Sequence, residues 1–126
     1  MKINIEIENL AEFNFFYNTL MLGVLTAIQH NKISPQDGEQ QIFSHMSIDR
    51  LKHSPFHPSF SDLVWQGSEI EDFDNDERTE RKEWLATMQN TILNNYKDAS
   101  LKPSFYNGCQ ITVQTDTQTI KIKWFI

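Results

Sequence analysis

A single cysteine, Cys109, in 126 residues leaves no internal disulfide to form. The glycines are as sparse: Gly23, Gly38, Gly67 and Gly108 stand singly, so no glycine-rich loop is present to cradle a phosphate. Four prolines leave little material for a linker. Basic charge is also scarce, with 11 Lys and Arg against 17 Asp and Glu and a formal net charge of −6. That balance argues against nucleic acid and anionic membranes, both of which demand a basic face. A basic or neutral protein partner suits it better. The residues after Met1 lack the basic start and small-residue cleavage site of a secretory signal, so the expected compartment is the cytoplasm.

What is present is large apolar side chains: 39% of residues are hydrophobic, including 9 Phe, 3 Trp and 3 Tyr. A chain of this length can bury a core without a staple, and one domain over residues 1–126 is expected. Phe13 to Asn31 carries no charged side chain, close to the roughly 20 residues a membrane-spanning helix needs. However, Asn14, Asn18, Thr19, Gln29 and Asn31 would place amides and a hydroxyl in lipid, and neither flank has clustered Lys or Arg. The segment therefore reads as a nearly fully buried helix of a non-membrane protein.

Lys2 to Glu8 alternates, with Ile3, Ile5 and Ile7 on one face, as a half-buried strand does. Asn9 is placed to cap a helix whose Leu10, Phe13, Phe16, Leu20, Val24 and Ile28 recur at helical spacing, ending near His30. Ser34-Pro35-Gln36-Asp37 opens a second helix that should reach about His45, with Ile42 and Phe43 inward. Ser47 is expected to cap one short turn over 48–51, before a loop held open by Pro55 and Pro58. Phe60, Leu63, Val64, Gly67 and Ile70 form the next stripe. A further helix, starting between Asn75 and Thr79, carries Trp84, Leu85, Met88, Ile92 and Tyr96 inward. After an Asn107-Gly108 turn, Gln110 to Thr115 and Thr119 to Ile126 form a hairpin turning at Asp116-Thr117. These elements predict an α+β fold, in which about four helices pack on a small, mostly antiparallel sheet made by the N-terminal strand and the C-terminal hairpin. If the first strand lay beside the last, Glu6 and Glu8 would face Lys121 and Lys123, and the isoleucines would cover the helices.

The densest charge of one sign runs from Gly67 to Glu77. Asp72, Asp74, Asp76 and Glu83 match positions 1, 3, 5 and 12 of a calcium-binding EF-hand loop. Glu77 stands where that loop needs glycine, Thr79 where it prefers a branched apolar residue, and Glu83 adjoins a helix interior. A solvated face with acids at a helix start accounts for the run better, and no metal or cofactor is assigned. His53 and His57 have a zinc-chelating spacing, but Pro55 breaks the helix that spacing requires. His30, His45, His53 and His57 are read as surface or loop residues. Cys109 has no basic neighbour to activate it, so a nucleophilic enzyme is not supported.

Leu22-Gly23, the segment Ile33-Ser-Pro-Gln-Asp-Gly-Glu-Gln-Gln-Ile-Phe43 and the block Gly67-Ser-Glu-Ile-Glu-Asp72 resemble, in order and spacing, the motifs of a small bacterial family of uncharacterised proteins. That family carries a Gly-x-Glu-Leu-Glu-Asp block. The resemblance spans roughly residues 15 to 95 and implies no enzyme activity. It does imply that Gly67, Glu69, Glu71 and Asp72 matter. Two functions follow as expectations. The first is a non-enzymatic interaction protein of immunity or regulatory type, docking a basic partner through Gly67, Glu69, Glu71, Asp72, Asp74 and Asp76. The second is a small-molecule or metal-dependent enzyme using the carboxylates of Glu69, Glu71 and Asp72, completed by His53 or His57. Homodimerisation is a further expectation, because the hairpin ends in Trp124-Phe125-Ile126 with Phe125 opposite Trp124.

Overall fold

The computed structural model describes residues 1–73, 78–102 and 109–124, with Arg78, Cys109 and Trp124 described in backbone only. The chain runs β1 (Lys2–Ile7), α1 (Leu10–Gln29), α2 (Pro35–Gln41), α3 (His45–Lys52), α4 (Ser59–Ser68), a 3₁₀ turn (Ile70–Asp72), α5 (Arg78–Asn95), a second 3₁₀ turn (Ala99–Leu101), β2 (Cys109–Gln114) and β3 (Thr119–Trp124). The fold is α+β, a group of helices followed by a three-stranded antiparallel sheet built from both ends of the chain.

Local chemistry sets most of the boundaries. The Asn9 side chain accepts the Glu12 backbone N–H at 2.8 Å and so satisfies an otherwise orphaned donor at the start of α1. At its end the chain reverses through Asn31, whose φ of 55° is a left-handed conformation that asparagine tolerates. A reciprocal capping box between Ser34 and Asp37, with Pro35 at the first helical position, starts α2. That helix is shorter than expected, ending at Gln41. The Phe43 side chain turns fully into the core, and the Ser44 hydroxyl accepts the Met46 N–H to begin α3 there, rather than at Ser47.

The helices close on a core of Met21, Leu25, Ile28, Phe43, Phe60, Leu63, Val64, Ile70, Leu85, Met88 and Ile92. The stripes expected for α4 and the middle of α5 are among these residues. Of the α1 face expected, Val24 and Ile28 are in the core and Phe13 packs against it, but Leu10 and Leu20 are exposed, while Asn14 and Asn18 are buried. Polar partners explain the exchange. Asn18 Nδ2 donates to the Ile92 carbonyl at 3.0 Å and its Oδ1 accepts from Asn95 Nδ2 at 3.0 Å, so α1 and α5 are bonded through a buried amide pair. No helix among the described residues is long and apolar enough to cross a membrane.

In the sheet, β2 is central. β1 pairs with β2 through Ile3↔Val113 and Ile5↔Ile111, and β2 pairs with β3 through Val113↔Ile120 and Ile111↔Ile122. The first strand thus lies beside β2, not β3. Glu6 is opposite Gln110 and is separated by that residue from Lys123. The hairpin turns as expected, with Thr115 N–H donating to the Gln118 carbonyl at 2.9 Å. The register gathers the isoleucines and valine on one face, but that face does not close over the helices. Ile3 is 54% exposed and Ile122 47%.

Candidate functional site

Gly67, on the buried side of α4, is where the acidic segment meets the core. A Cβ there would collide with the Phe43 ring, so glycine is what lets the end of α4 lie against that side chain. Gly67 therefore supports the acidic residues from below. The next turn, Ile70–Asp72, buries Ile70 and turns Glu71 and Asp72 outward, with Glu69 partly exposed beside them. Asp74 and Asp76, and with them the centre of the EF-hand-like spacing, lie outside the described residues.

The sequence pattern missed the fourth carboxylate. Glu39 on α2 comes to the same face, where its hydrogen bond to Glu71, helped by some desolvation and by repulsion, raises the Glu71 pKa. Glu69 is raised likewise, first by its hydrogen bond with Asp72. Two carboxylates can share such a bond only through a proton, so these shifts register negative charge crowded onto one exposed surface. The histidine nearest this group is His45, with Nε2 4.0 Å from Glu69 Oε1, and it opposes part of the shift. Neither of the two histidines expected to complete a carboxylate site does so. His53 is bonded to Asp49 on its own helix, and His57 is bonded elsewhere. Among the described residues, no three His, Cys, Asp or Glu side chains are arranged to hold a metal ion.

His57 lies in a loop, as the sequence reading allowed, between α3 and α4, but it is turned away from solvent. Its side chain is only 9% exposed. Nε2 lies 3.1 Å from Asp98 Oδ2 and Nδ1 lies 2.8 Å from Ser59 Oγ. Because Nδ1 also accepts the Ser59 backbone N–H at 3.2 Å, the ring proton belongs on Nε2, facing Asp98. The order acid, imidazole, hydroxyl is the one that nucleophilic enzymes use. Here the hydroxyl is held on its other side by Asn95 Nδ2 at 2.9 Å, which commits it to the Asn18–Asn95 bridge. The imidazole meanwhile caps the first turn of α4, for which Pro58 offers no side-chain acceptor. Asn14 completes the web, accepting the His57 N–H at 3.0 Å and donating to the Ser100 carbonyl at 3.1 Å. Hydrogen bonds from the Ser100 backbone and then from His57 hold the Asp98 carboxyl below its usual pKa. This web fastens α1, α4 and the segment after α5 to one another. No sequence spacing announces it, since the bonds that link its separate segments join residues 36 to 86 positions apart.

Comparison with curated proteins and with solved structures finds no match. A family model described as a protein of unknown function (DUF3969) matches residues 8–104, the span of all five helices, and the chain belongs to that family.

Proposed function

We propose that this protein is a non-enzymatic cytoplasmic interaction protein, of immunity or regulatory type, that docks a basic protein surface through Glu39, Glu69, Glu71 and Asp72, continued by Asp74 and Asp76. The observation that carries this reading is the gathering of carboxylates from two separate segments, α2 and the end of α4, close enough for Asp72 to bond Glu69 and Glu39 to bond Glu71, contacts that raise both pKa values. Like charges held this close oppose folding, and the basic side chain set against them among the described residues is His45. A basic partner would relieve that repulsion, speed encounter and set specificity.

The test is affinity capture from native-host lysate with the wild type and with the triple variant Glu69→Lys, Glu71→Lys, Asp72→Lys, its folding checked by circular dichroism. A stoichiometric basic protein retained by the wild type, released by raised salt and absent with the variant is the expected result. Equal retention by both forms, or no retained protein, would reject the acidic face as the docking surface.

A further inference from the structure

β1 is an edge strand with one hydrogen-bonded neighbour among the described residues, β2, and every residue from Lys2 to Glu6 is exposed. An exposed edge offers a row of unpaired backbone groups to another strand, and proteins usually guard it with like charge or proline. The opposite edge is guarded in this way. β3 carries Lys121 and Lys123 on one face with no acidic residue in the strand, so a second β3 laid against it would bring no opposite charge to either lysine.

β1 has the reverse pattern. Its polar face reads Lys2, Asn4, Glu6, with a cation and an anion placed symmetrically about Asn4. Turned end for end about Asn4, a second β1 puts its Glu6 opposite Lys2 and its Lys2 opposite Glu6, with Ile3 opposite Ile5 on the other face. No other antiparallel register within the strand pairs Lys2 with Glu6. The geometry points to a second copy of this chain as the partner of this edge. Two β1 strands join antiparallel about a two-fold axis at Asn4, and the two sheets become one of six strands. The interface is isologous, as a two-fold dimer requires. Backbone hydrogen bonds supply its attraction, and the two Lys2–Glu6 pairs fix its register.

Sedimentation equilibrium with a charge-swap series tests this. The wild type is expected to dimerise below about 100 µM, an affinity typical of small interfaces. Lys2→Glu opposes two acids twice in the dimer and Glu6→Lys opposes two lysines twice, so each single change should weaken association about tenfold or more. The double variant Lys2→Glu, Glu6→Lys restores both pairs and should return association to within about threefold of wild type. Both changes lie on exposed positions, and circular dichroism is used to check the fold of each of the three variants. In a Cys109→Ser background, Asn4→Cys should also form an intermolecular disulfide on mild oxidation, since directly opposed strand residues lie within bridging distance. A wild type that stays monomeric at that concentration would overturn the proposal. So would a dimer indifferent to both single changes, as one joined through the isoleucine face would be, or a double variant no better than the singles.

Discussion

The helices and the sheet use the same kind of residue to different ends. Phe43, Phe60, Leu25 and Ile92 are fully enclosed by neighbouring helices, whereas Ile3, Ile5, Ile120 and Ile122, just as regularly spaced, remain about half in water. Periodicity decides which side chains share a face, but burial needs a second layer to cover that face. The helices cover one another. The sheet's apolar face, among the described residues, keeps about half the surface of its isoleucines in water, so its apolar pattern specifies register more than it supplies stability. The span matched by the family model holds the helices, and β1, β2 and β3 lie outside it.

The sharpest way to break this comparison is to truncate one side chain from each region. Phe60→Ala should cost about 3–5 kcal/mol, because the ring is fully enclosed and leaves a cavity beside Tyr17 and His57. Ile122→Ala should cost less than about 1 kcal/mol, the scale of a cross-strand contact that keeps half its surface in water. Urea denaturation of both variants gives the ratio directly. Equal losses would mean that the sheet's apolar face is covered in solution, and the contrast drawn between the regions would fail.

Next in size is the buried web. Asn95→Ala removes the donor shared by Asn18 Oδ1 and Ser59 Oγ and should cost about 1–3 kcal/mol, the penalty for leaving buried acceptors without partners. Asn18→Ala should cost a similar amount, while the double variant should lose less than the sum, because both deletions break the same bond. Additive losses would show that the two amides act separately and that the web is not a unit.

The sequence revealed what adjacent residues decide. Asn9, Ser34 and Asp37 cap their helices because a side-chain oxygen need reach only two or three residues along the chain, and the strand faces follow from alternation. It did not reveal what distant residues decide. Leu20 looked inward and Asn14 and Asn18 looked incidental, because the partners that bury those amides, Ile92, Asn95 and Ser100, lie more than 70 positions away. Strand order failed for a related reason: charge complementarity between Glu6 and Lys123 was real, but β2 came between them with Gln110. Of the candidate site, Glu69, Glu71 and Asp72 were legible as a run. Glu39 was hidden because the turn at Phe43 and the close approach at Gly67 bring α2 to them.

The smallest effects expected are electrostatic, and they carry opposite signs in two exposed places. Hydrogen bonds from Ser100 and His57 depress the Asp98 pKa from 3.8, so Asp98 adds stability above that value and loses it as pH falls through its folded pKa. Glu71 is raised from 4.5 by Glu39. Its protonated form is therefore the one the fold favours, and the fold loses stability as pH rises from about 4.5 through the raised value. Asp98→Asn should thus lower the Tm at pH 7, with the difference fading as pH falls through the lowered pKa of Asp98. Glu71→Gln should raise the Tm at pH 7, with its advantage fading below about pH 4. Adding the basic partner should then stabilise the wild type more than Glu71→Gln, because binding relieves a repulsion that the variant has already lost. A Glu71→Gln protein that is no more stable than wild type at pH 7 would mean the carboxylates are not in conflict, and the strongest reason for a basic partner would go with it.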